Sequence, residues 1–327
     1  MKPAGFTRYY TFVDYTTQAY CALVGLLILF FHNQTVPAWR WLLVTHAAGL
    51  LLIHALIKSQ GNVPGSRVLD FLRHFYPLFL FAWFFSETGW LNRMFFPTYL
   101  DPRVIRLEQT LFGGQPAVQF MQKLPYLGVS ELFYFFYFSY YIMIGGVGLA
   151  LYVRDRRQFF HYVSVVSFLF YICYLVYISL PIIGPPIFFR TFHGYELPAD
   201  VSELASTHVY PASVKAGLFF RLMAWIYRVF EAPGAALPSS HVAVAVCTLY
   251  FSFRYLRPIR YIHLVAVVLL CLSTVYCRYH YALDVLAGLL TATLVVPLAN
   301  RLYFESEPSP QQEWSRKAAL QSKPTLE

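Results

Sequence analysis

Toward the end of the chain, two short segments carry residue types that can bind an anion and exchange a proton: Pro238-Ser239-Ser240-His241 and Arg278-Tyr279-His280-Tyr281-Ala282-Leu283-Asp284. On a helix, His280 and Asp284 stand four residues apart and share a face. The carboxylate can then accept from one imidazole nitrogen and leave the other as a lone pair, which makes a nucleophile. In the first segment, a proline suited to a helix start, two hydroxyls and the free backbone N–H groups of a helix N-terminus together favour an anion. Arg278 adds a planar donor fork for phosphate oxygens. Each piece has a plainer use, since Ser-Ser-His commonly caps a helix and an i, i+4 His/Asp pair is commonly a structural hydrogen bond. Their weight comes from where the surrounding elements place them.

Those elements are membrane spans. The chain is 58% hydrophobic and 19% aromatic with only 13% charged residues, where a soluble domain has about 25% charged. Runs of about 18 or more nearly uncharged residues each suit a bilayer-crossing helix. Eight such runs are expected, near Thr16 to Phe31, Trp39 to Ile57, Leu69 to Phe85, Val129 to Val153, Phe159 to Leu180, Pro238 to Phe253, Ile259 to Tyr276 and Tyr281 to Leu302. The third is weakened by Arg73, His74 and Pro77. The first apolar run opens only around Gln18 and reads as a retained helix rather than a signal peptide.

An even number of spans puts both termini on one side. That side's loops carry Lys58 and Arg67, then Arg154, Arg156 and Arg157, then Arg254, Arg257 and Arg260, while the opposite short loop from His32 to Ala38 carries no Lys or Arg. By the positive-inside rule the termini are expected to be cytoplasmic. The long loops Glu87 to Gly128 and Pro181 to Leu237 then face the periplasm, exterior or lumen. Both His241 and His280 open spans at that same face, and ionisable groups so close to the apolar zone point to a functional site. Within the second loop, Val214, Leu218, Leu222, Trp225, Ile226 and Val229 recur at helical spacing, which predicts an interfacial helix over residues 213–230.

The formal charge of +9 is explained by this topology, and no basic stripe or recognition motif calls for nucleic acid. Cys21, Cys173, Cys247, Cys271 and Cys277 are odd in number and form no CxxC pair, so neither a disulfide framework nor a zinc site is expected. No carboxylate or Cys/His cluster has metal-ligand spacing, and no cofactor is expected. His46, His54, His161 and His263 read as packing or interfacial residues, and His193 and His208 as solvated loop residues. The tail beyond Tyr303 has the composition of a disordered segment.

Pro-Ser-Ser-His, followed some forty residues later by His-Tyr-x-x-Asp-Val-x-x-Gly from His280 to Gly288, resembles the second and third signature motifs of the type 2 phosphatidic acid phosphatase superfamily. The chain is most similar to its inositol phosphorylceramide synthase-like branch. Leu111-Phe112-Gly113-Gly114-Gln115-Pro116, Phe138-Ser139-Tyr140-Tyr141 and Gly184-Pro185-Pro186 support this, and the likeness covers roughly residues 100 to 303. It implies an all-α membrane bundle with a six-helix-type core. The N-terminal helices would occupy residues 1–100, the catalytic membrane domain 101–303 and a cytoplasmic tail 304–327.

The resemblance also implies metal-independent phosphoryl transfer on a lipid phosphate. His280 would be the nucleophile, Asp284 its orienting partner and His241 the general acid, while Ser239, Ser240 and Arg278 would hold phosphoryl oxygens. The superfamily's usual first motif is missing: Lys215 to Arg221 is one residue short and lacks its proline. Arg190, just past Gly184-Pro185-Pro186, is the substitute candidate. Ser273-Thr274 stands where Ser-Arg is usual, with the arginine displaced to 278.

Three classes of function follow from these residues: a lipid phosphatase or phosphotransferase, a transporter using the His, Arg and Asp as an ion path, and a non-catalytic head-group binder. The transporter predicts related halves, and no repeat links residues 1–160 with 161–303. The intact His241, His280 and Asp284 argue against the binder. Between hydrolysis and transfer, the long outer loop able to roof the site favours transfer, because a covered site keeps water from the intermediate.

Overall fold

The computed structural model describes residues 9–63, 65–191, 210–230 and 234–306. His193, His208 and residues 307–327 lie outside the described residues. The described chain is a helical bundle without strands, and seven of its helices are long and apolar enough to cross a membrane. They are α1 (Phe12–Phe31), α2 (Trp39–Asn62), α3 (Arg67–Leu91), α6 (Leu127–Arg154), α7 (Arg156–Ser179), α12 (Arg260–Tyr276, led in by a 3-10 turn at Arg257–Ile259) and α13 (Ala282–Ser306). Between them lie α4 (Asp101–Phe112), α5 (Pro116–Lys123), α8 (Pro185–Thr191), α9 (Ala212–Lys215), α10 (Leu218–Phe230) and α11 (Ser240–Tyr255).

The sixth expected span, Pro238 to Phe253, is the exception to the eight. It becomes α11, a helix of 16 residues, about 24 Å at 1.5 Å per residue, short of the roughly 20 residues that cross a bilayer. Its length is that of the expected span, and it suits the helix's place. It packs on α6, α7, α12 and α13, and Val242, Ala243, Val244, Ala245, Cys247 and Phe251 are fully buried. An enclosed helix needs no lipid-matched length, and its N-terminus is free to lie inside the bundle rather than at its surface.

Two expectations about the first helices are corrected. α1 begins at Phe12 and so includes Asp14, whose carboxylate pairs with Arg73 of α3 and accepts from Tyr76 Oη at 2.7 Å. This partner is why α3 can carry Arg73 in the interior, the buried cation being neutralised in place, and the helix also runs unbroken through His74 and Pro77. His46 is more than a packing residue, since its Nε2 lies 2.7 Å from Glu87 Oε1, with both side chains buried. His161 likewise bonds Tyr255 and Asn300, His263 bonds Ser252 and Thr248, and His54 bonds Tyr10.

The predicted outer-loop helix is present but broken at Ala216–Gly217 into α9 and α10. α10 packs on α6. Glu131 of α6 accepts the Phe219 N–H at 3.0 Å, satisfying a free donor of the α10 N-terminus. Met223 is buried, whereas Leu218, Trp225 and Val229 are exposed on the outer side beside Arg221 and Arg228. Helix α13 continues to Ser306, past the expected end of order at Tyr303. All five cysteines are free.

Candidate active site

The short segment before α11 is tied down on three sides. Ala236 N–H donates to Ile182 O at 3.1 Å, Tyr177 Oη donates to Pro238 O at 2.7 Å, and Ser239 N–H donates to Asp284 O at 2.9 Å. Ser240 N–H donates back to Tyr177 Oη at 3.1 Å. The N–H groups of Ser239 and Ser240 at this N-terminus are therefore already used. Ser239 Oγ is the N-cap, accepting from Val242 N–H at 3.4 Å, and the residue is fully buried. Ser240 lines the cavity described below.

Helix α13 comes close enough for these bonds because Gly288 has no side chain. A Cβ there would lie 2.6 Å from Ser239 O, inside van der Waals contact. Here the glycine of the His-Tyr-x-x-Asp-Val-x-x-Gly pattern has a packing reason.

Helix α12 ends in a left-handed turn. Arg278 has φ +63°, and Tyr279 N–H donates to Thr274 O at 3.1 Å, a C-cap arrangement in which glycine is the usual residue. The turn redirects the chain so that His280 enters the bundle. His280 Nδ1 lies 3.2 Å from Asp284 Oδ2, which also accepts Tyr281 N–H at 2.8 Å. His280 Nε2 lies 3.5 Å from His241 Nδ1. The expected triad of His280, Asp284 and His241 is thus brought together. His280 is 4% exposed, and burial holds its pKa down to about 4, so its imidazole is neutral and one nitrogen keeps a lone pair.

Arg278 behaves differently. Its guanidinium, 1% exposed, turns toward α5, with Nη2 3.4 Å from Val118 O and the cation 5.4 Å from the ring centre of Tyr210. Nε and Nη1 have no hydrogen-bond partner, and burial lowers its pKa. It does not line the histidine cavity. Arg190 closes α8, but its side chain lies outside the described residues. Lys215 and Arg221 are exposed on the surface.

The histidines open onto a cavity of about 480 Å³. α3 contributes Phe81, Ala82 and Phe85, α7 contributes Phe170 and Tyr174, and α10 contributes Ile226 and Tyr227. Tyr140, Ser240, His241, Tyr279 and His280 lie along its polar side. Among the described residues no Lys, Arg, Asp or Glu lines it, so it offers hydrocarbon contact beside two imidazoles.

Four further residues shape the site. Asp101 of α4 accepts from Ile183 N–H at 3.0 Å, Gly184 N–H at 2.9 Å and Tyr281 Oη at 3.0 Å. Glu108, two turns on, accepts Leu283 N–H at 3.1 Å. The two acids thus brace the start of α13 and the turn after α7. Tyr137 Oη lies 3.3 Å from His241 Nε2 and is hydrogen-bonded to Tyr227 Oη. The seven-residue interval of Asp101 and Glu108 on one helix face was the available sequence signal. The tyrosines carried none, being two among 26.

No group of three or more His, Cys, Asp or Glu among the described residues could hold a metal ion. No curated protein and no solved structure matches the chain. A match to the PAP2 superfamily spans residues 102–298, more than half of the chain, and takes in the two histidines, Asp284, Glu108 and the Tyr177 anchor, with Asp101 one residue ahead of it. The chain therefore belongs to the PAP2 superfamily, whose enzymes act on lipid phosphates.

Proposed function

We propose that the protein transfers a phosphoryl or phospho-head group from a lipid-linked phosphate to an alcohol through a phosphohistidine on His280, in the manner of the inositol phosphorylceramide synthase-like branch. One observation carries this reading: a histidine oriented by a buried carboxylate and a second histidine 3.5 Å away meet at the wall of a cavity that is otherwise hydrocarbon and aromatic. The polar end suits a phosphate and the apolar end its lipid chain.

In the first half-reaction the bound phosphate anion favours a proton on His241; His280 Nε2 then attacks phosphorus, the bond to the leaving oxygen breaks, and imidazolium His241 passes its Nδ1 proton to that oxygen. In the second half, an acceptor hydroxyl gives its proton to the now neutral His241 as its oxygen takes phosphorus from His280. Donor and acceptor therefore alternate, and His241 ends the cycle as it began. An in-line displacement sets the nucleophile roughly 3–3.5 Å from the reacting atom, with the acid beyond the leaving oxygen. The 3.5 Å contact of the two rings is shorter than that sum, so His241 turns aside as donor enters.

Charge on the phosphate calls for a cation. Arg278, with two buried guanidinium nitrogens unpartnered, is one candidate. Arg190 is the other, standing three and four residues after the cavity-lining Ile187 and Pro186. The catalysis needs no metal in this scheme. With the enclosed α11 as the eighth crossing, the distribution of Lys and Arg favours both termini in the cytoplasm and the site at the opposite face.

Transfer is favoured over hydrolysis because α10 supplies Ile226 and Tyr227 to the cavity wall and limits water at the intermediate. The test is partition. Labelled lipid phosphates and phosphodiesters are supplied with rising concentrations of polyol or lipid alcohol, with and without chelator, and label is counted in inorganic phosphate, new lipid and acid-labile phosphoprotein. New lipid and a phosphoprotein absent from His280→Ala are expected, with no effect of chelator. Inorganic phosphate alone at every acceptor concentration would make the protein a phosphatase, and wild-type turnover by His280→Ala would remove the nucleophile assignment.

A further inference from the structure

We infer that Tyr137 is the positioning residue of His241, and that Tyr227 makes the acid depend on α10. The inference rests on His241 being the acid proposed above. Asp284 holds His280 at Nδ1, which commits His280 Nε2 to phosphorus. His241 has the same need. Only its Nδ1 faces His280, so only that nitrogen can deliver a proton to a group leaving from it. Once neutral, an imidazole left to itself interchanges its two tautomers, and in one of them Nδ1 already carries a proton and cannot take one from the acceptor hydroxyl.

The second nitrogen settles the matter. His241 Nε2 meets Tyr137 Oη at 3.3 Å. A tyrosine hydroxyl both donates and accepts. Its oxygen accepts from Nε2–H while His241 is imidazolium and still does so once Nδ1 has given up its proton, because the proton that remains is the one on Nε2, and its own proton can go to Tyr227 Oη. Tyr137 therefore keeps Nδ1 as the exchanging nitrogen in both half-reactions, and gives the ring a pivot on which to turn as phosphate enters.

Tyr137 is itself held. Its hydroxyl is bonded to that of Tyr227 on α10, and the Tyr227 ring stacks on Tyr279 with centroids 4.0 Å apart and planes 18° apart. Tyr279 also lies 4.6 Å from the Tyr137 ring. Because Glu131 anchors the start of α10, the helix on the outer side of the bundle reaches the acid through one hydroxyl pair.

The experiment separates proton delivery from folding by the leaving group. The full-length protein in detergent is given n-dodecyl phosphate, whose alkoxide needs a proton, and 4-dodecyl-2-nitrophenyl phosphate, whose phenolate does not. The corresponding phosphodiesters are used if wild type prefers them. His241→Ala sets the scale. Tyr137→Phe is expected to lose at least about tenfold in kcat on the alkyl donor and less than about threefold on the aryl donor. Tyr227→Phe is expected to show the same pattern more weakly, and Y137F/Y227F to match Y137F. Equal losses of Tyr137→Phe on both donors, or no loss on the alkyl donor while His241→Ala retains its leaving-group dependence, would overturn the inference and leave the proposed reaction standing. If His241→Ala is equally impaired on both donors, or wild type turns over neither, the acid assignment falls and the role of Tyr137 falls with it.

Discussion

At the scale of single residues, the site is governed by which polar atoms are already spoken for. Ser239 has a hydroxyl and an N–H in the right segment to meet phosphate, yet both serve the helix junction. Asp284 spends Oδ2 on His280 and Tyr281, and Oδ1 is buried without a partner. Replacing Asp284 by Asn keeps the shape but reverses what the group offers Nδ1, since the amide nitrogen donates. Turnover of Asp284→Asn is expected to fall by about 10²-fold or more, with the phosphoprotein forming more slowly, measured by rapid quench. Unchanged phosphorylation kinetics would show that the i, i+4 pair is structural only. Arg278→Lys retains the charge and loses the fork. A rise in KM with little change in thermal midpoint is expected if the guanidinium meets substrate phosphate, and the reverse if it only fills its tyrosine-lined niche.

Among elements, two junctions decide whether the residues meet. The first is the close approach of α11 and α13 at Gly288, where a single added carbon meets Ser239 O. Gly288→Ala is expected to cost about 1–3 kcal/mol and to lower activity further, since the parted helices also separate His241 from His280. Thermal unfolding alongside turnover tests this, and a variant with wild-type values for both would show that the helices can part freely. The second junction is the Glu131 cap on α10. Removing it with Glu131→Ala should cost about 1 kcal/mol, read as faster amide exchange confined to α10. If α10 exchanges no faster, the cap does not hold the helix.

Across the whole molecule, buried acids set the response to pH. Burial outweighs the donors around Asp101 and Glu108 and pushes each up to about 7, whereas an unfolded carboxyl titrates near 4. The folded protein therefore binds the extra protons between about pH 4 and 7, and its stability falls as pH rises through that window. The thermal midpoint in detergent is expected to be higher at about pH 5 than at about pH 8, with the slope flattened in D101N/E108Q. A slope of opposite sign would mean that the donors win. The Asp14–Arg73 pair joins α1 to α3 in the half of the bundle ahead of the family match. Asp14→Ala leaves a buried guanidinium unpaired, at a cost of about 3–5 kcal/mol, visible as loss of the folded monodisperse species. Single cysteines at Arg156 and Thr207 in a cysteine-free background should label from opposite sides, and labelling from one side would break the proposed topology.

What the sequence determined by itself was whatever depends on near neighbours along the chain. Scarcity of charge and long apolar runs dictate a membrane bundle, because too little polar surface is left to coat a soluble globule. The four-residue step from His280 to Asp284 sets a shared helical face before any packing occurs. Tertiary structure alone decided the rest. It enclosed α11 within the bundle, turned the Arg278 guanidinium away from the cavity, and used up the backbone N–H groups of Ser239 and Ser240. It also gave Asp14, Glu87, Asp101 and Tyr137 partners between 41 and 180 residues distant. Such bonds leave no periodic trace. A tyrosine facing lipid and a tyrosine holding a histidine look alike in an aromatic-rich span, and only the competition among all packed groups for the same buried acceptors tells them apart.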